Sequence, residues 1–156
     1  MDAQILTNCF LLLMEERGRC SIIDLEADVF DYVAKRIHAA HTGAYVVGEY
    51  IETPAKFPTV TLVEADNRIL TRMRTSDEIE NGVSVMWEAN VYSNKSGGKK
   101  AEAKAITNTI DNAFKEIGFT RTFREQIPNL KNATIYRIVC RYEAVIDKEF
   151  VIYHSE

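Results

Sequence analysis

The sequence predicts an α+β fold: a mainly antiparallel sheet of about four to six strands, with two to three helices packed on one of its faces. Three observations carry this. Apolar residues recur at helical spacing in two stretches near the start of the chain. Past Gly43 the pattern changes to the alternation of strands. The strands then come in runs, interrupted by a single further helical stretch, which favours hairpins over parallel crossover units.

In chain order, Ile5, Leu6, Cys9, Phe10, Leu13 and Met14 place a first helix over residues 3–16, with Gly18 as its stop. Asp24 reads as the N-cap of a second helix. Glu26 and Asp28 fall in its first turn, where the helix dipole favours negative charge, and Lys35, Arg36 and His38 fall toward its end. Leu25, Val29, Tyr32, Val33, Ile37 and Ala40 form its apolar stripe, and Thr42-Gly43 closes it. Ala44–Tyr50 and Thr59–Glu64 are short and β-branched, separated by the turn-rich segment Thr53–Pro58. Ala65–Gly82 is polar and reads as a long loop or a hairpin arm. Along Val83–Tyr92, Val83, Val85, Trp87, Ala89 and Val91 face one way, and Trp87 reads as core. Lys99–Ile117 is the strongest helix, with Ala101, Ala105, Ile106, Ile110, Ala113, Phe114 and Ile117 on one face and Gly118 in the C′ position. Phe119–Ile127 reads as a strand and Pro128–Asn132 as a loop. Thr134–Ile146 is the longest strand, with Tyr136, Ile138, Cys140, Tyr142, Ala144 and Ile146 on one face, and Phe150–Tyr153 adds an edge.

The 156 residues, 46% hydrophobic and 27% charged, suit one globular domain over residues 1–156, with residues 1–20 as a peripheral N-terminal helix. A net charge of −4 argues against a dedicated nucleic-acid binder. Cys9, Cys20 and Cys140 make an odd count with no C-x-x-C pair, so no disulfide framework is expected and a reducing cytoplasm fits. The apolar run Cys9–Met14 is too short to span a bilayer, and Met1-Asp2 opens without a basic leader region, so neither membrane insertion nor secretion is expected.

No constellation carries chemistry convincingly. Ser96-Gly97-Gly98-Lys99-Lys100 sits between a strand and a helix, as a phosphate loop does. The earlier glycine is missing, and Lys100 stands where Ser or Thr belongs, so a turn with solvated lysines is the better reading. His38 and His41 are spaced i, i+3 but lack further ligands, and Asp28 and Asp31 fit the solvated face of their helix. There is no G-x-S-x-G elbow, and the cysteines read as small core residues. The expectation is no catalytic residue, no cofactor, no metal and no enzymatic activity. A small nuclease or hydrolase would need an acidic or histidine cluster. A single-strand nucleic-acid binder would use Tyr92, Tyr136, Tyr142 and Tyr153 as a stacking platform beside Lys95–Lys104, but no basic groove accompanies them.

One segment suits self-association. In Ala65–Gly82, Arg68, Arg72 and Arg74 precede Asp77, Glu78 and Glu80, so neighbouring copies could pair opposite charges in a heterologous contact. With Lys95, Lys99 and Lys100 of the following turn, these are the candidate assembly residues.

Five collinear segments, Phe57–Asn67, Trp87–Lys95, Gly98–Ala105, Gly118–Thr122 and Pro128–Ile138, together resemble a family of bacteriophage tail terminator proteins. These are also called tail completion or head–tail joining proteins, or minor capsid proteins, of long-tailed phages. The resemblance covers about Tyr45–Asp147 and excludes the first 20 residues and the last few. It implies an α/β fold with helices against a sheet. It also implies a structural role as a homomeric ring, typically a hexamer, that caps the tail tube, stops its polymerisation and presents a surface to the head connector. The implied partners are further copies of the chain, the tail tube protein and the head–tail connector or adaptor, with genome DNA passing through the lumen without sequence-specific contacts. The implied location is the virion tail or neck, after assembly in the host bacterial cytoplasm. A head-side neck or adaptor protein is the alternative.

Overall fold

Strand alternation has a consequence for the centre of this chain: every second residue of one long strand must find a dry neighbour. The computed structural model describes residues 22–73 and 81–154, and it satisfies that demand with two helices and a six-stranded sheet. The order is helix α1 (Glu26–Ala40), strands β1 (Tyr45–Val47) and β2 (Thr59–Ile69), a 3-10 turn (Thr71–Met73), β3 (Gly82–Ser93), helix α2 (Lys99–Glu116), then β4 (Thr120–Gln126), β5 (Tyr136–Asp147) and β6 (Ile152–His154). In space the sheet runs β1-β2-β3-β5-β4, with β6 also paired to β5. Only β1 and β2 are parallel to each other. The fold is α+β.

Both helices cover one face. Val83, Val85, Trp87, Ala89 and Val91 of β3 join Val60 and Leu62 of β2 and Ile138, Cys140, Tyr142, Ala144 and Ile146 of β5 in one core. Val29, Val33 and Ile37 of α1 and Ala103, Ile106, Ile110, Ala113 and Phe114 of α2 close it from above. At its centre Phe114 stacks on Tyr142 at 4.2 Å between ring centroids and meets Trp87 at 6.0 Å and Phe119 at 5.4 Å. The helices run antiparallel. Glu116 accepts a hydrogen bond from the Tyr32 hydroxyl and an ion pair from Arg36, both at 2.7 Å, while His41 Nε2 lies 3.0 Å from Thr109 Oγ1.

The stop of α2 follows from Gly118. Its φ of +95° lies in the left-handed region, and a Cβ there would stand 3.0 Å from Ile152 Cγ2. That turn lets Phe119 N–H reach Phe114 C=O at 2.9 Å and Gly118 N–H reach Lys115 C=O at 3.2 Å, and it delivers Phe119 onto the Phe114 ring.

Several sequence expectations change. Asp24 lies one residue outside the cap position, which is Leu25, and its carboxylate accepts from Glu26 N–H at 2.9 Å. α1 ends at Ala40 without a left-handed glycine, since Gly43 is not in that region. Of the two readings of residues 65–82, a long loop or a hairpin arm, the antiparallel pairing of β2 with β3 fits the arm. Residues 65–69 continue β2 past an irregularity between Glu64 and Asp66, and β3 already begins at Gly82. The extra residue shifts the alternation and makes a paired strand look like polar loop. A Cβ on Gly82 would lie 2.5 Å from Met73 Sδ, so a larger residue there needs the flexible end of that side chain to move. β5 begins at Tyr136, two residues later than expected, and equals β3 in length. The helix expected over 3–16 lies outside the described residues, as do Cys9 and Cys20.

Candidate functional site

The far face of the sheet is polar and tightly paired. Register sets Glu88 opposite Arg141, Asn90 opposite Val139 and Tyr92 opposite Arg137. Arg141 Nε donates to Glu88 at 3.0 Å, and Arg137 donates twice to Asn90 Oδ1, at 3.0 and 2.7 Å. Asn90 Nδ2 donates to Glu88 at 3.2 Å. The guanidinium of Arg137 lies over the Tyr92 ring and that of Arg141 over Phe123. Tyr92 is buried, and its hydroxyl donates to the Ile51 carbonyl at 2.8 Å, which pins the 48–57 segment across this face. Burial raises the Tyr92 hydroxyl above its ordinary pKa. These groups satisfy one another and hold the segment down.

A second polar knot lies under α2. Asp111 accepts from the Tyr142 hydroxyl, from Arg121 and, at 3.3 Å, from Arg124. Burial pushes the Tyr142 hydroxyl far above its usual range and the Cys140 thiol up to about 11, so that sulfur is a neutral core group and no nucleophile. Tyr92 and Tyr142 are buried, so with Tyr136 half-buried the four tyrosines form no stacking platform. Among the described residues no three His, Cys, Asp or Glu side chains converge as metal ligands, and His41 is engaged with Thr109. No helix among them is long and apolar enough to cross a membrane.

The candidate assembly residues separate into two places. Arg68 pairs at 2.6 Å with Asp66 of its own strand, so within this chain its charge is already met; Arg72 sits exposed in the 3-10 turn. Arg74, Asp77, Glu78 and Glu80 lie outside the described residues. Lys95, Lys99 and Lys100 surround an open depression of about 810 Å³ at the start of α2, lined by the Asn94–Ala101 turn, Lys104 and Thr134. Lys99 Nζ donates to the Thr134 carbonyl at 2.9 Å, so this lysine ties the turn to the next loop instead of waiting for a phosphate.

Two features escaped the sequence reading. Leu130 is 97% exposed at the tip of the loop after β4. That loop is built by Asn129, whose Oδ1 accepts the N–H groups of Lys131 and Asn132 and whose Nδ2 donates to the Glu52 carbonyl. Asn132 repeats the device on Thr134. The Pro128-Asn129 and Asn132 spacing signals such a turn, but not that its leucine points outward. The other is Glu64, on the helix side of β2. Its Oε1 accepts from Asn67 at 3.2 Å, while Oε2 is buried with no donor among the described residues. Burial raises its carboxyl, and the nearby charges of Glu26, Asp24 and Asp66 push the same way.

This arrangement defines an α+β protein whose exposed features are charged and apolar surfaces, with Asp111, Asn90 and the paired arginines spent on holding the fold. No protein-family model matches the sequence, and no curated protein matches it. Solved structures do. One is a chain from the virion of a native gene transfer agent particle, with a TM-score of 0.51 and 14% sequence identity over 75% of this chain and 92% of that one. At that identity the likeness is one of fold, and it spans nearly the whole of the other chain.

Proposed function

We propose that this chain is a structural component of a phage-type virion, and within that class a tail terminator. It forms a ring, a hexamer by the family resemblance, that caps the tail tube, ends its polymerisation and meets the head connector. It has no enzymatic activity. The observation that carries this reading is the fold shared with a gene transfer agent virion chain over 92% of that chain's length. The collinear segments from Phe57 to Ile138 support the finer assignment. The spending of Asp111, Tyr142, Asn90 and the paired arginines on internal contacts agrees with a role in assembly.

The test uses particles of the phage or prophage that encodes the chain. The protein is expected in purified virions by mass spectrometry and at the head-proximal end of the tube in a particle reconstruction. Deleting its gene is expected to give tubes of uncontrolled length and unjoined heads. Density on the head side of the joint instead would make it an adaptor. Normal, infectious particles without the chain would overturn the reading.

A further inference from the structure

The two ends of the helical layer expose side chains of opposite charge that have no ion pair among the described residues. At the start of α2, Lys95, Lys100 and Lys104 are exposed and none has an ion pair among the described residues. Beside them the Thr134 end of the neighbouring loop lines the same depression, and that loop presents Leu130. Asn129 and Asn132 already fix the loop's backbone, so burying Leu130 would cost little further ordering.

The helices are antiparallel, so the start of α1 lies at the other end. Seventeen residues of α2 and six of α1 separate the two places by roughly 35 Å, at about 1.5 Å per residue. There Asp24 and Glu26 are exposed, again with no ion pair among the described residues. Glu64 stands close enough to be disfavoured by both. The bond from Asn67 Nδ2 to the Ile23 carbonyl joins β2 to this end, flanked by Ile22 and Ile69, which are 58% and 44% exposed. Each end thus combines apolar surface with exposed charge: lysines at the start of α2, where half-buried Glu102 accepts from Ser93 Oγ, and the carboxylates of Asp24 and Glu26 at the start of α1, with Lys115 in the last turn of α2 on that side.

We propose that the Leu130 turn and the ridge of Lys95, Lys100 and Lys104 dock on the Asp24–Glu26 end of a second copy of this chain, in a head-to-tail contact. This rests on the self-assembly reading above and names the surfaces that meet. Charge complementarity selects the partner: the lysines face carboxylates of Asp24 and Glu26 that have no ion pair among the described residues. Exposed charge pairs set register more than strength, so Leu130 against Ile22 and Ile69 supplies the apolar part. Such a contact is heterologous and continues from copy to copy until it closes.

The experiment is sedimentation velocity on the full chain up to about 1 mM protein, at about 50 mM and about 500 mM salt, where the screening length differs about threefold. The wild type should associate beyond a dimer at low salt and dissociate at high salt. Two one-sided variants are compared with it: Lys100→Ala with Leu130→Asp, and Asp24→Asn with Glu26→Gln. The first changes exposed side chains only, and the second keeps an acceptor for Glu26 N–H while giving up charge at the start of α1, so melting temperatures should stay within a few degrees of the wild type. Each alone should associate at least tenfold more weakly, and an equimolar mixture should stop at a one-to-one complex. A wild type monomeric at the highest concentration, or either variant associating normally, overturns the contact. So does a lysine variant whose only loss is salt-sensitive binding to duplex DNA, which would make the ridge a nucleic-acid surface. Presence in virions is read separately, so the contact can fail while the virion assignment stands.

Discussion

The two faces of one strand are held by different physics. On the helix side of β3, Val83, Val85, Trp87, Ala89 and Val91 pack among aliphatic and aromatic neighbours, and stability there scales with buried apolar area. On the far side Glu88, Asn90 and Tyr92 are held by guanidinium groups and a backbone carbonyl, and the buried Asn90 is tied by directed bonds to Glu88 and Arg137. A dry face tolerates changes that keep volume. A polar face tolerates few changes at all, because removing one partner leaves another buried and unmatched. The comparison teaches that the helix side supplies the bulk of the stability, whereas the far side fixes register and holds the 48–57 segment in place.

The sharpest way to break this contrast is Trp87→Ala. It removes the largest fully buried side chain and opens a cavity beside Phe114, and urea unfolding followed by far-ultraviolet circular dichroism should show a loss of about 3–5 kcal/mol. Next is Asn90→Ala, which strands the Arg137 guanidinium and should cost about 1–3 kcal/mol by the same measurement. A larger loss at Asn90 than at Trp87 would invert the comparison. The smallest effect is expected at Glu64, a carboxylate that intrudes on the dry side. Its folded-state pKa is raised, so its ionised form is disfavoured by folding. The sign follows from linkage: the wild type holds this contribution in full below the ordinary carboxylate pKa and loses it as pH rises through the raised folded value. Glu64→Gln should therefore be slightly more stable than the wild type at neutral pH. That advantage should shrink as pH falls through the acidic range, and unfolding midpoints at pH 7 and pH 4 check it. An advantage that grew on acidification would mean that the carboxylate is favoured where it stands.

The sequence announced the strongly periodic elements and hid those whose meaning depends on distant register. α2 was legible from Ile106, Ile110, Ala113, Phe114 and the Gly118 stop, although Ala101 and Ala105 of the expected stripe are exposed and Ala103 and Thr107 are buried instead; β3 and β5 were legible because their alternation is unbroken. The second half of β2 was not. The irregularity after Glu64 shifts the phase, so that polar Asn67 joins Glu64 on the helix side, where the Ile23 carbonyl gives the asparagine a partner. The far-face network was illegible for a related reason. Glu88 and Arg141 are 53 residues apart, and each alone reads as a solvated strand charge until register sets them opposite one another. Of the candidate assembly surfaces, the lysines after β3 could be read directly. The exposure of Leu130 could not, since a leucine between Asn129 and Lys131 gives no sign of which way its side chain turns.

The chain contains one tryptophan, and it lies 1% exposed at the centre of the molecule, against Phe114. Its intrinsic emission is therefore a gauge of folding: blue-shifted while the helix layer stays closed on the sheet, and red-shifted when water enters. Contacts made at either end of the helical layer do not reach the indole, so copies joining one another leave the emission spectrum where it was. Light scattering and emission read together from one cuvette thus separate a variant that fails to assemble from one that fails to fold.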